Sequence, residues 1–187
     1  MFKTITTLAT LASMSLSPVM SSTYGDYNQP TRTPHVQLFE AVLKTGVDVR
    51  VNEVKDCDPD VVGKMTYGWY SGTERVLVVC QEQAHYTGRY GQGAFNFSDE
   101  DLDTLRHEAH HMVQDCMDNR LNARLEPVYN QPIELAKDTL SDRHISRILK
   151  SYGHLSDHVI VLELEAFSVA AMNNPLEQVS DIQRYCF

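Results

Sequence analysis

The sequence predicts an α+β fold. Short β-rich runs crowd the first half of the chain, apolar residues recur at helical spacing through the second half, and 187 residues suffice for one domain with a real core. Apolar residues make up 42% and charged residues 22%, an ordinary globular composition. The net charge of -9 and a pI near 5.3 argue against sequence-independent binding to nucleic acid or anionic membrane, because both need a basic surface that displaces counterions.

Residues 1–22 carry one early Lys3, no acidic residue, and a Thr/Leu/Ala/Ser run ending near Pro18 and small serines. That is the outline of a secretory signal peptide, with a cut after Ser21; the lesser alternative is a disordered amphipathic leader of a cytosolic protein. The run is too short and polar for a permanent membrane span, so no membrane insertion is expected once a signal is removed. Residues 23–33 are polar and rich in turn formers, as a linker would be. A single domain is then expected over residues 34–187.

The domain should open with a helix: Thr33 serves as N-cap, Pro34 as first helical residue, Val36, Leu38, Phe39, Val42 and Leu43 follow helical spacing, and Gly46 stops it. Residues 47–51, VDVRV, alternate apolar and polar as a half-buried strand does. MTYGWY and RVLVVC are two β-rich runs joined by SGTE, a hairpin signal. Residues 81–97 interleave four aromatic rings with Gly88, Gly91 and Gly93, which reads either as a flexible loop at a cleft rim or as a surface loop folded onto the sheet.

From Ser98 the pattern turns helical. Ser98 with Asp101 resembles a capping box, and Asp99, Glu100 and Asp101 suit the positive end of the helix dipole, so a helix is expected to about Asp118. Further helices are expected over residues 132–150 and 156–172, the latter with Ser156 as N-cap, and a short tail helix can form over residues 175–185. Cys57, Cys80, Cys116 and Cys186 form no CxxC pair, so two disulfides in an exported, secreted or periplasmic protein are their simplest use. Of three connectivities, Cys57 with Cys80 and Cys116 with Cys186 is favoured, because the first pair flanks the hairpin and the second ties the C-terminus to a core helix.

The helix beginning at Ser98 carries LRHEAHHMVQDC. His107, Glu108 and His111 match HExxH, in which histidines one turn apart can reach one zinc ion. At about 100° per residue the three share one side, while Leu102, Leu105, Ala109, Met112, Val113 and Cys116 form an apolar stripe almost opposite. The helix can therefore bury its back and turn the motif to a cleft. His110 falls outside the spacing and is expected to pack or hydrogen-bond. Asp115, one turn beyond His111, could accept its second ring N–H or stand solvated.

A catalytic zinc needs a third protein ligand and an open position. Glu163 and Glu165, in VLELEAFSVAA, are the candidates. Glu163 shares a helix face with Val159, Ile160, Ala166, Phe167 and Ala170, where an ionised carboxylate is costly unless paired or bound to metal. Glu165 points away from that face and can be solvated. Ala166 and Ala170 are small enough to let the two helices approach.

HEAHH followed, 52 residues after His111, by the ELEA of Glu163 to Ala166 resembles the zinc metallopeptidases of the gluzincin type. The resemblance covers about residues 66–172 and is specific at the metal site. It implies a zincin-like fold: a small antiparallel or mixed sheet whose hairpin packs on the HExxH helix, followed by C-terminal helices. It implies Zn2+ held by His107, His111 and Glu163, with Glu108 activating the zinc-bound water to hydrolyse bonds in a peptide or protein substrate. A further oxyanion donor, usually Tyr or His, is implied as well, with Tyr152, His154 and His158 as candidates. The rival expectations are an inactive zinc-binding protein and a metal-free, disulfide-stabilised interaction domain.

Overall fold

The computed structural model describes residues 33–187. The expected leader, and the expected linker up to residue 32, lie outside the described residues. Helix α1 (Thr33–Lys44) already includes Thr33, and the turn after it closes at Gly46, whose φ of 84° suits glycine. Strand β1 (Asp48–Val51) follows, then two short helices that local periodicity does not announce, α2 (Val54–Cys57) and α3 (Pro59–Val62). Strands β2 (Gly68–Ser71) and β3 (Val76–Val79) form the expected hairpin.

The sheet is mixed, in order β1-β3-β2: β3 pairs antiparallel with β2 and parallel with β1. All four residues of β3 are buried, because both faces of this central strand are covered. Leu77 and Val79 point into the main core, and Val76 and Val78 lie with Trp69 and Tyr90 around Cys57 and Cys80.

Residues 81–97 are not a simple loop. Helix α4 (Glu82–Thr87) occupies the first part and ends at Gly88 in the left-handed region. The four rings have separate fates: Phe97 is in the main core, Tyr90 packs by the Cys57–Cys80 bridge, Phe95 is half-buried and Tyr86 is exposed. None of them lines the cleft described below.

Helix α5 (Asp99–Asp115) has the expected capping box, with Ser98 accepting from the Asp101 amide and the Asp101 carboxylate accepting from the Ser98 amide. It stops at Asp115, three residues short of the expected end. The helix expected over residues 132–150 is two, α6 (Pro132–Thr139) and α7 (Asp142–Tyr152). Leu140 adopts an extended conformation between them, and the Ser141 hydroxyl caps α7 by accepting from the His144 amide. Helices α8 (Asp157–Met172), capped by Ser156 as expected, and α9 (Pro175–Tyr185) complete the chain.

Helix α5 is the organising element. Leu102, Leu105, Ala109, Met112 and Val113 join residues of α1, β3 and α9 in the main core, and α8 crosses its other side on the fully buried Ala166 and Ala170. Cys57 is bridged to Cys80 and Cys116 to Cys186, which is the favoured pairing. Two disulfides suit an oxidising, extracellular-type environment. No described helix is long and apolar enough to cross a membrane.

Candidate metal centre

The apolar back of α5 directs His107, Glu108 and His111 toward β2 and α8, where each keeps less than a tenth of its surface exposed. One ligand atom from each lies within 4.8 Å of the others, so the three form a group that could hold a metal ion. His107 Nε2 and His111 Nε2 are 3.1 Å apart. From α8, the two Glu163 carboxylate oxygens approach the same two nitrogens at 3.5 and 3.6 Å. Glu163 Oε2 is buried without a hydrogen-bond partner.

The electrostatics follow from this crowding. Burial pushes the Glu108 carboxyl above its usual range, opposed by the adjacent His107 and His111. Burial works against charge on Glu163 too, yet the adjacent His107 and His111 imidazoles outweigh it and pull this carboxyl down to about 2. His111 is raised to about 9: burial opposes the charge, and Glu163 and Glu108 overcome it. Without a metal, the centre therefore holds a proton on His111 facing an ionised Glu163.

Strand β2 closes the centre from above. A Cβ at Gly68 would meet Thr104 Cγ2 at 2.6 Å, the Val78 carbonyl oxygen at 2.8 Å and Glu108 Cγ at 3.2 Å, so only glycine lets the strand lie this close over Glu108. Tyr152, at the end of α7, lines the cleft beside His107, Glu108 and Glu163. Burial, reinforced by Glu163 and Glu108, pushes its phenol above the usual value, so it stays a hydrogen-bond donor. His154 and His158 do not join the centre: both are exposed, and the His158 ring bonds the Leu125 carbonyl.

Two expectations around the motif are corrected. Asp115 does not meet His111. Its carboxylate accepts from the Tyr70 hydroxyl at 2.7 Å and from the amides of Asn122 and Arg124, because β2 and the loop that follows α5 reach that side of the helix first. The partner of His111 Nδ1 is Gln114, at 2.8 Å. Gln114 spends its Nε2 donors on the Leu162 carbonyl and Glu165, so its Oε1 must accept, and His111 carries a proton on Nδ1. Nε2 therefore carries the second proton toward Glu163 in the metal-free protein, and becomes the lone-pair nitrogen only when that proton is lost.

Glu165 is not solvated but fully buried. It accepts from His110 Nε2 at 2.8 Å, Gln114 Nε2 at 3.0 Å, and the amides of Val128 and Tyr129 at 2.9 and 3.0 Å. Burial would raise this carboxyl, but these donors hold it below the usual range. Residues 128–129 fold over the side of α8 that a helical wheel leaves open. His110 is fully buried in this network, hydrogen-bonded as expected. Gln114 was missed in the sequence, though its i+3 spacing from His111 on one helix is a readable signal.

An α+β fold built around two buried imidazoles and converging carboxylates defines a protein with a candidate metal centre. The chain belongs to the family described as Domain of unknown function (DUF8637), whose model matches residues 18–187. No curated protein and no solved structure matches it.

Proposed function

We propose that the protein is a zinc-dependent peptidase of zincin-like build, in which His107, His111 and Glu163 hold the ion and Glu108 moves the proton. The observation that supports this reading is the convergence of His107 Nε2 and His111 Nε2, 3.1 Å apart, with one Glu163 oxygen 3.5 Å from the first nitrogen and the other Glu163 oxygen 3.6 Å from the second. Ligand atoms about 2.0–2.1 Å from a tetrahedral zinc stand about 3.3 Å from one another, so the 3.1 Å spacing of the two imidazole nitrogens suits this ion. Two imidazoles with one carboxylate also match zinc chemically, and the unpartnered Glu163 oxygen fits a ligand better than a bystander.

A bound zinc ion supplies positive charge that polarises the scissile carbonyl and makes water a stronger acid. Glu108, which burial makes more basic than an ordinary carboxylate, takes a proton from the attacking water and delivers it to the leaving nitrogen. The C–N bond breaks, the water oxygen stays on the carbonyl carbon, and amine and acid are released. Tyr152 donates a hydrogen bond to the oxygen that gains charge. Gln114 and Glu165 hold His111 in the tautomer that presents Nε2.

Metal analysis of protein purified without chelator should find one zinc per chain, lost on replacing His107 or His111 by Ala. Glu108→Gln should keep the zinc and lower cleavage of a broad peptide mixture by about 100-fold or more. Cleavage that persists in Glu108→Gln refutes the role of Glu108, and absence of stoichiometric zinc refutes the reading as a whole.

A further inference from the structure

We propose that the cleft accepts the interior of an extended polypeptide, with acidic substrate residues on one side of the cleaved bond and basic residues on the other. The inference rests on the peptidase reading and adds the substrate class. Two hollows, of about 580 and 600 Å³, meet above the motif. Thr66, Gly68, His107, Glu108 and Tyr152 line both, so the reacting centre sits at a waist with room on either side. Each hollow is large enough for several side chains. An enzyme that trims chain ends needs one side closed around a terminal amine or carboxylate; here the space continues in both directions.

The hollows differ in charge. The first contains Lys55 and Lys64, both exposed, and neither forms an ion pair among the described residues. Its one additional acid, Asp56, is already held by Arg50 at 3.5 Å. Two unneutralised lysines stand out in a chain of net charge -9. The second hollow contains Glu82, Glu100 and Asp103 and no Lys or Arg. Asp103 is neutralised by Arg106 at 2.9 Å, which leaves Glu82 and Glu100. Opposite fields on the two sides of one waist select a substrate whose charges alternate in the matching order and reject the reversed order. Trp69, the single tryptophan, lines the first hollow and reports occupancy there.

The test uses the zinc-loaded full chain and short peptides blocked by acetyl and amide groups, with an acidic half and a basic half in either order. Cleavage is read on the wild type by mass spectrometry, and binding on Glu108→Gln by Trp69 fluorescence. One order should be bound and cut, internally, about tenfold better than the other, and Lys55→Glu with Lys64→Glu should abolish or invert that preference. Cleavage confined to the ends of unblocked peptides, or equal handling of both orders by the wild type, overturns the inference while leaving the peptidase reading intact. Ordered binding to Glu108→Gln without any cleavage by the wild type does the opposite: the polar cleft stands and the peptidase reading falls. Neither binding nor cleavage overturns both.

Discussion

Gln114 and Asp115 are neighbours on one helix, yet only the first touches the candidate metal centre. The difference lies in what faces each: α8 offers Gln114 a carbonyl and a carboxylate, whereas β2 offers Asp115 a phenol. Replacing Gln114 by Leu should therefore weaken zinc binding by about 10–100-fold, measured by competition with a chelating dye, since His111 loses the acceptor that fixes its ring. A variant that unfolds more easily but binds zinc as tightly as the wild type would reduce Gln114 to packing. Proton competition gives a second prediction at this scale. In the metal-free protein His111 is raised to about 9 and Glu163 pulled down to about 2, so binding zinc must expel a proton from His111 over most of that interval. Apparent zinc affinity should rise roughly tenfold per pH unit as pH approaches about 9 from below and level off above it. The sign for metal-free stability follows from the same pair. The His111 contribution is complete below 6.5 and lost as pH rises through about 9, and that of Glu163 is complete above 4.5 and lost as pH falls through about 2. Chelated protein should gain most from the pair between pH 4.5 and 6.5, which thermal unfolding across pH would check. His107, Glu108 and His111 were legible in the sequence because their spacing is local to one helix. Glu165 was not, because its burial comes from amides 36 and 37 residues upstream.

Elements whose cause is local were readable, and those decided by distant contacts were not. Helices α1, α5, α8 and α9 and the β2–β3 hairpin follow from periodicity, caps and turn residues within a dozen positions. The parallel pairing of β1 with β3 depends on a crossover through α2 and α3, which alternation along β1 cannot encode. The break at Leu140 did have a local signal, the Ser141–Asp142 helix start, outweighed in reading by the continuous helical spacing around it. Gly68 shows how an element positions chemistry. Its neighbours Thr104, Val78 and Glu108 leave no room for a Cβ, and one of those contacts is backbone that cannot rotate away. Gly68→Ala should push β2 off α5, cost about 1–3 kcal/mol in urea unfolding, and displace Glu108 from the centre. Cleavage should then fall while stoichiometric zinc is retained, since the nearest atoms to the added methyl group belong to Thr104, Val78 and Glu108 and not to His107, His111 or Glu163. Full activity in a normally stable Gly68→Ala protein would show that the strand has slack the close contacts deny.

For the molecule as a whole, the two disulfides fasten opposite ends of the same support. Cys57–Cys80 joins α2 to the end of β3 on the sheet face away from α5, and Cys116–Cys186 ties the chain after α9 to the foot of α5 itself. Their sequence separations are 23 and 70 residues, so chain entropy alone assigns them about 3 and about 4 kcal/mol. Packing adds to the difference, because α9 contributes the fully buried Ile182 to the core that α5 rests on, whereas the Cys57–Cys80 cluster holds a smaller group of side chains. Replacing Cys116 and Cys186 together by Ser should therefore lower unfolding free energy more than replacing Cys57 and Cys80. The first pair of changes should also weaken zinc binding, since the lower end of α5 carries His111 and Gln114 and loses its tether. Removal of Cys57–Cys80 should instead act on the hollow lined by Lys55, Lys64 and Trp69, raising the concentration of peptide needed for half-maximal binding while zinc affinity holds. Urea unfolding with zinc and peptide titrations of the two double variants checks the assignment. If both lose zinc affinity equally, the sheet and the helix act as one unit, and the division of labour between a metal-bearing helix and a substrate-bearing face is wrong.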